Sequence, residues 1–234
     1  MLHTTRAVVL RTFHHGDRST VLKAYTETFG ARSYMVRTGK RGTAPPALLQ
    51  PLGRLELVVT EDRDRELQQV REARSLQPYL HIANDPRRGL ILLFAQEVFY
   101  RTLREGAPDP GLFRFVLHTL EAIDTESALG QLPLDLLTGL AERLGFLPEP
   151  PFHGEDRFDL REGCFFKGPE PHAFCMDRTS ASAFARMLRH EKGSPSLPGD
   201  QRKLLLDHLL LFFRFHAEGF GELRSPEVLH DVLR

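Results

Sequence analysis

The sequence predicts an α+β protein: an N-terminal five-stranded OB-fold β-barrel over residues 1–76, then an α-helical domain over residues 77–234. Three observations carry this reading. Before residue 76 the chain is a series of short β-rich runs cut by Gly, Pro and Asp turn signals. After it, apolar residues recur at helical spacing, and segments open on Asp-Pro or Ser-Pro pairs. The formal net charge of +0 is also divided. Residues 1–54 hold nine Lys and Arg against only Asp17 and Glu27, a balance of +7 that the rest of the chain offsets.

Taken in order, residues 5–11 (TRAVVLR) are a strand, and His14, His15, Gly16 and Asp17 a turn. Residues 20–28 alternate, with Leu22, Ala24 and Thr26 on one side and Val21, Lys23 and Tyr25 on the other. Gly30 ends that run, and residues 31–38 are a third strand. Residues 39–46 (GKRGTAPP) are a loop loaded with Gly, Pro and cations. Residues 51–60 and 67–73 supply the fourth and fifth strands. Helices then start at Asp85-Pro86 and Asp109-Pro110. There the Asp oxygen accepts a free N–H of the first turn, and Pro needs no partner for the N–H it lacks. The first helix sets Leu90, Leu93, Phe94, Val98 and Leu103 on one face; the second runs through Phe113, Val116, Leu117, Leu120 and Ile123. A third covers residues 133–144, closed by Gly145. Residues 147–178 form a Pro- and Gly-rich insert. Within it residues 158–166 (FDLREGCFF) make a short hairpin turning at 159–163. Helices resume over 180–190, 199–217 and 225–233, and Leu204, Leu205, Leu209, Phe212, Phe213 and Phe215 mark the buried centre of this domain.

Composition excludes several classes. With 234 residues, 41% hydrophobic and 26% charged, the chain has a globular make-up and not that of a disordered or rod-like protein. No run of about 18 apolar residues exists to span a membrane, and residues 1–12 lack the apolar core of a signal peptide. Two cysteines, Cys164 and Cys175, make no disulfide framework and fit a reducing cytoplasm. No phosphate loop, nucleophile elbow or His-Glu-x-x-His helix is present, and no residue set reads as catalytic. His14 and His15 read as a solvated pair; Asp62 and Asp64 read as local partners of Arg63 and Arg65. No cofactor is expected.

A small cationic barrel suits a polyanion. Lys and Arg neutralise phosphates and release counterions, while aromatic rings stack on bases. The expected DNA-binding residues are Arg11, Arg18, Lys23, Tyr25, Arg32, Arg37, Lys40 and Arg41. Tyr25 enters because it shares a strand face with Lys23, whereas Phe29 reads as core. Two other partner classes fit the same features: an RNA, or an acidic protein surface bound by an adaptor.

The segment AVVLRTFHHGDRSTVLKAYTETFGARSYMVRTGKR resembles the start of the RecO family of bacterial recombination mediators. The matching features are a strand, the turn Gly16-Asp17-Arg18-Ser19, a second strand ending at Gly30, and the basic stretch 37–41. PALLQPLGRLELVV, YLHIANDPRRGLILLFAQEVFYRTLRE (79–105) and GFGELRSPEVLHDVL (219–233) are also similar, the last to the Bacteroidota-type branch. The resemblance implies a non-enzymatic function: binding single- and double-stranded DNA, annealing complementary strands, joining RecR, and helping to load RecA. It further implies a pocket for the acidic, Phe-ended tail of single-strand-binding protein, for which Arg87, Arg88, Arg101 and Arg104 are rim candidates by charge. Many family members carry a four-cysteine zinc site in CxxC pairs. This chain offers only Cys164 and Cys175, with His153 and His172 nearby, so no metal is expected and Cys164 reads as an ordinary small residue.

Overall fold

The computed structural model describes residues 1–16, 18–39, 42–62, 65–189 and 197–229. The chain falls into two compact units, Met1–Thr125 and Glu126–Arg234, so the first takes in two helices beyond the barrel.

In the first unit, strands β1 (Leu2–His14), β2 (Ser19–Thr26), β3 (Gly30–Arg37), β4 (Arg54–Thr60) and β5 (Leu67–Ser75) close a barrel in the order β1-β2-β3-β5-β4. Strand β1 is longer than the sequence suggests because it serves two neighbours. Leu2 to Val8 pair with β4, and Ala7 to His14 pair with β2. A bulge between Val9 and Arg11 bends it from one to the other. A short parallel pairing of β3 with β5, Ser33 to Met35, completes the closure. Ala7, Val9, Leu22, Ala24, Tyr34, Val36, Leu55, Leu57, Val59 and Val70 fill the interior, with Phe29 packed against them. At the β2–β3 turn the Thr26 hydroxyl donates to Gly30 O and accepts from Phe29 N–H. Gly30 has φ +66, and a Cβ there would sit 3.1 Å from Gly106 O, so the turn needs glycine on two counts.

Helices α1 (Pro86–Thr102) and α2 (Pro110–Thr125) begin where the Asp-Pro pairs predict. Asp85 accepts from Arg87 N–H at 3.0 Å, and Asp109 from Leu112 N–H at 2.9 Å. The buried stripe of α1 is Ile91, Phe94, Ala95, Val98 and Phe99. Leu93, expected inward, lies off that stripe and is 54% exposed. Asp124, buried near the end of α2, accepts the backbone N–H groups of Leu80, His81 and Ile82 at 2.8, 2.9 and 3.1 Å. Burial pushes its pKa up, but the three N–H donors outweigh that and hold it below the usual carboxylate value. The segment between barrel and α1 is thereby pinned.

In the second unit α3 (Leu132–Leu144) stops at Gly145, which has φ +81. The predicted hairpin is present as β6 (Arg157–Asp159) and β7 (Cys164–Phe166). A third strand, β8 (Cys175–Met176), joins on the other side of β6 and was too short to signal itself in the sequence. Helix α4 (Arg178–Leu188) is capped by Asp177, which accepts from Ser180 N–H at 2.7 Å. Helix α5 (Gly199–His216) buries Leu205, Leu206, Leu209, Phe212 and Phe213, leaving Leu204 and Phe215 partly exposed. Phe158 joins Phe184 and Phe212 at ring distances of 5.1 and 5.7 Å, and each such ring contributes roughly 1.5–3 kcal/mol by its burial. The last predicted helix is seen as Pro226–Leu229; residues 230–233 of it lie outside the described residues. Among the described residues no helix is long and apolar enough to cross a membrane.

Candidate nucleic-acid interface

The bulge in β1 decides which way a cation points. Ala7 and Val9 face the interior, so strict alternation would send Arg11 inward as well. The extra residue resets the register: Arg11 lies opposite Lys23, and Thr12 opposite Leu22, a core residue. Arg11 and Lys23 thus sit side by side on the outer face of the barrel. Leu10 O, at the bulge, accepts from Gln96 Nε2 of α1 at 2.7 Å.

Helix α1 supplies the third member of this group. The Tyr100 ring lies 5.1 Å from the Arg11 guanidinium and 5.7 Å from Lys23 Nζ. Arg11 is also 5.2 Å from the Phe13 ring, and Phe13 is 41% exposed. Like charges directly opposite in an antiparallel pair repel. Neither Arg11 nor Lys23 has an ion pair with a carboxylate among the described residues. The ring faces offset part of the repulsion, about 0.5–1 kcal/mol per contact at an exposed site. An anion would relieve the remainder. Two unneutralised cations beside two aromatic rings from three elements can take both a phosphate and a base.

The remaining expected residues divide. Arg37, exposed at the end of β3, lies opposite Ser19 on the same outer row as Ser33, the β3 partner of Lys23. Arg18 is exposed in the β1–β2 turn. Arg32 sits opposite Ala24 on the inward row of β3 with Tyr34 and Val36, apart from the Arg11–Lys23 group. Lys40 and Arg41 lie outside the described residues. Tyr25 is a correction. It does share the Lys23 side of β2, but its own ring packs 5.9 Å from that of Phe113 on α2, and Tyr25 is 3% exposed. Burial pushes its pKa up to about 12. It has no open face on which a base could stack.

Two further N-terminal cations are taken up by the fold. Arg6 pairs with Glu27 through Nε at 2.7 Å, which raises the guanidinium pKa and lowers that of the carboxyl. Arg54 is buried against the Tyr79 ring at 4.5 Å, with Nη2 donating to Pro78 O. Of the proposed tail-pocket rim, Arg87 and Arg88 are drawn to Asp85, and Arg88 also donates to Ile123 O at 2.7 Å. Tyr100 had no local signal in the sequence, because its role depends on α1 packing beside β1 and β2. Phe13 had one: it is two residues from Arg11 on a strand.

Of the metal-ligand types noted in the insert, His153 is exposed, whereas His172 and Cys175 approach each other and Asp159 joins them.

A closed β1-β2-β3-β5-β4 barrel followed by helices defines an OB-fold protein with an appended helical domain. The family model for recombination protein O N terminal matches residues 1–79, and that for recombination protein O C terminal matches residues 83–226. The chain belongs to the RecO family of DNA repair proteins. It is 28% identical over 240 residues to the DNA repair protein RecO of Bacteroides fragilis, with 99% of each chain covered. It is 27% identical to the protein of the same description in Porphyromonas gingivalis, with 98% of each covered. For that of Azobacteroides pseudotrichonymphae the identity is 25%, with 99% of each covered.

Proposed function

We propose that this chain is a recombination mediator that binds single- and double-stranded DNA on the outer face of β1 and β2 and pairs complementary strands. The observation that carries the reading is the Arg11–Lys23 pair: two cations held opposite each other, no described carboxylate beside them, and Tyr100 and Phe13 at their edge. Retained repulsion of this kind is explained by an anion that the site awaits. Phosphates of two strands bound there lose the mutual repulsion that opposes annealing. Duplex formation itself supplies the free energy, so no nucleotide hydrolysis, cofactor or catalytic group is required. Arg18 and Arg37 extend the contact, together with Lys40 and Arg41. The helical domain is the platform for protein partners: RecR, the tail of single-strand-binding protein and, through them, RecA loading in the cytoplasm. Family membership supports this assignment.

The test is an annealing assay with complementary strands coated by single-strand-binding protein, with and without the chain, repeated with RecR and with RNA strands of matched length. Faster annealing of coated DNA is the expected result. No acceleration, or a preference for RNA, would overturn the reading.

A further inference from the structure

The bulge that turns Arg11 outward is held from outside its own sheet. Leu10 is the extra residue there. It has no strand partner in either ladder of β1, since the β2 register passes from Val9 to Arg11 and the β4 register ends at Val8. Its side chain is fully buried yet lies outside the barrel interior, so Leu10 and Arg11 follow one another on the outer side of β1. A carbonyl left out of the ladder needs another donor. Gln96 of α1 supplies it, with Nε2 donating to Leu10 O at 2.7 Å. Tyr100 lies one helical turn further along the same face of α1, and its ring is 5.1 Å from the Arg11 guanidinium. Helix α1 therefore grips consecutive bulge residues with two side chains. The residue before the bulge is fixed from the other side. Val9 O accepts from Leu52 N–H at 2.7 Å, and Val9 N–H donates to Gly53 O at 3.0 Å. Leu52 has φ +57, the only described residue other than glycine with a positive φ, and the Tyr79 hydroxyl donates to its carbonyl at 2.6 Å. A left-handed leucine is costly, and such residues gather where a fold must hold a particular geometry.

We propose that Gln96 is a positioning residue: its bond to Leu10 O holds the bulge in register and so keeps Arg11 beside Lys23 on the outer face of the barrel. This role rests on the reading of Arg11 and Lys23 as phosphate contacts, and it says what sets their spacing. Were the bulge to move along β1 toward His14, Arg11 would fall on the inward row of Ala7 and Val9. Repulsion between Arg11 and Lys23 favours such a slip, so the register that keeps the two together needs a bond from another element. Glutamine suits this task because it is uncharged. A lysine or arginine at 96 could donate to the same carbonyl but would add a further cation to the pair. A glutamate would have no hydrogen to donate and would neutralise the pair.

The experiment uses the full chain as Gln96→Met, Arg11→Ala and the two combined. Methionine keeps the length of the side chain and loses the donor. Circular dichroism checks that each variant is folded, and Gln96→Ala replaces the methionine variant if that one is not. Fluorescence anisotropy with oligo-dT over a salt series reads affinity and slope. A positioning residue can cost no more than the contact it positions, about 0.7 in the slope of log K against log salt for a single strand. Gln96→Met should therefore lose roughly 0.5–0.7 in slope and bind about 3- to 5-fold more weakly at 0.1 M salt. The combined variant should match Arg11→Ala, because no guanidinium is then left to place. Without DNA, the amide NMR shifts of Leu10, Arg11 and Lys23 should move in Gln96→Met, while those of Val36 and Leu57 in the barrel interior hold. Unmoved shifts at Arg11 and Lys23 overturn the role of Gln96 alone. So does an unchanged slope in Gln96→Met where Arg11→Ala has lost its share, or losses that multiply in the combined variant. An unchanged slope in Arg11→Ala overturns the phosphate-contact reading and this role with it.

Discussion

Replacing Arg11 and Lys23 together by Ala removes two cations that stand side by side on one barrel face. For single strands each lost phosphate contact lowers the slope of log K against log salt by about 0.7, so the double variant should lose about 1.4. At 0.1 M salt that amounts to roughly 25-fold weaker binding, or about 1.9 kcal/mol. Stability should fall by roughly 1–2 kcal/mol: the variant forfeits the contacts of both cations with Tyr100 and of Arg11 with Phe13, each about 0.5–1 kcal/mol, and the removal of a like-charge cross-strand pair returns a few tenths of a kcal/mol or more. Fluorescence anisotropy with oligo-dT and mixed-sequence strands across a salt series gives the slope, and thermal melts give the stability. The loss should be the same for all sequences, because phosphates carry no sequence information. A folded double variant with unchanged slope and affinity would refute the reasoning.

Tyr100→Leu should weaken single-strand binding by about 1–3 kcal/mol if a base stacks on the ring. Tyr25→Leu should lower the melting temperature but leave affinity unchanged, since Tyr25 is buried against Phe113; equal binding losses in the two variants would contradict the assignment. Asp124→Asn should destabilise by about 1.5–3 kcal/mol at neutral pH, by weakening charge-assisted bonds to three backbone N–H groups. Because the folded-state pKa of Asp124 is depressed, its contribution is present above the unfolded-state value of about 3.9 and is lost as pH falls through the folded value. The variant should therefore show a flatter acid dependence of stability below about pH 4 in urea melts. Gly30→Ala combines a left-handed φ of +66 with a Cβ 3.1 Å from Gly106 O, and should destabilise by at least about 1–2 kcal/mol in the same melts.

The parts of the fold that rest on local chemistry were legible in the sequence. Asp85-Pro86, Asp109-Pro110 and Gly145 mark helix ends because capping and left-handed backbone are satisfied within a few residues. Alternation in residues 20–26 correctly separated the core row of β2 from its outer row. It could not say what covers the outer row. That is why Tyr25 looked available when α2 buries it, and why Tyr100 gave no sign. The β1 bulge was equally silent. It changes the facing of Arg11 without a glycine or proline to announce it. Charge counting found a basic segment, but its total of nine cations takes in Arg6 and Arg54, which an ion pair and a buried ring contact occupy, and Arg32 was expected beside Arg11 although it lies on an inward row. Register likewise hid the Asp159–Cys175 juxtaposition, since β8 has only two residues and pairs across a loop.

Ultraviolet crosslinking of a bound thymidine strand, followed by mass spectrometry of the adducts, tests most directly where a strand lies. If β1, β2 and α1 form the binding face, adducts will concentrate on Tyr100 and Phe13 and diminish with rising salt. Adducts on other residues, with both of these rings unlabelled at saturating DNA, would place the strand elsewhere and contradict the account.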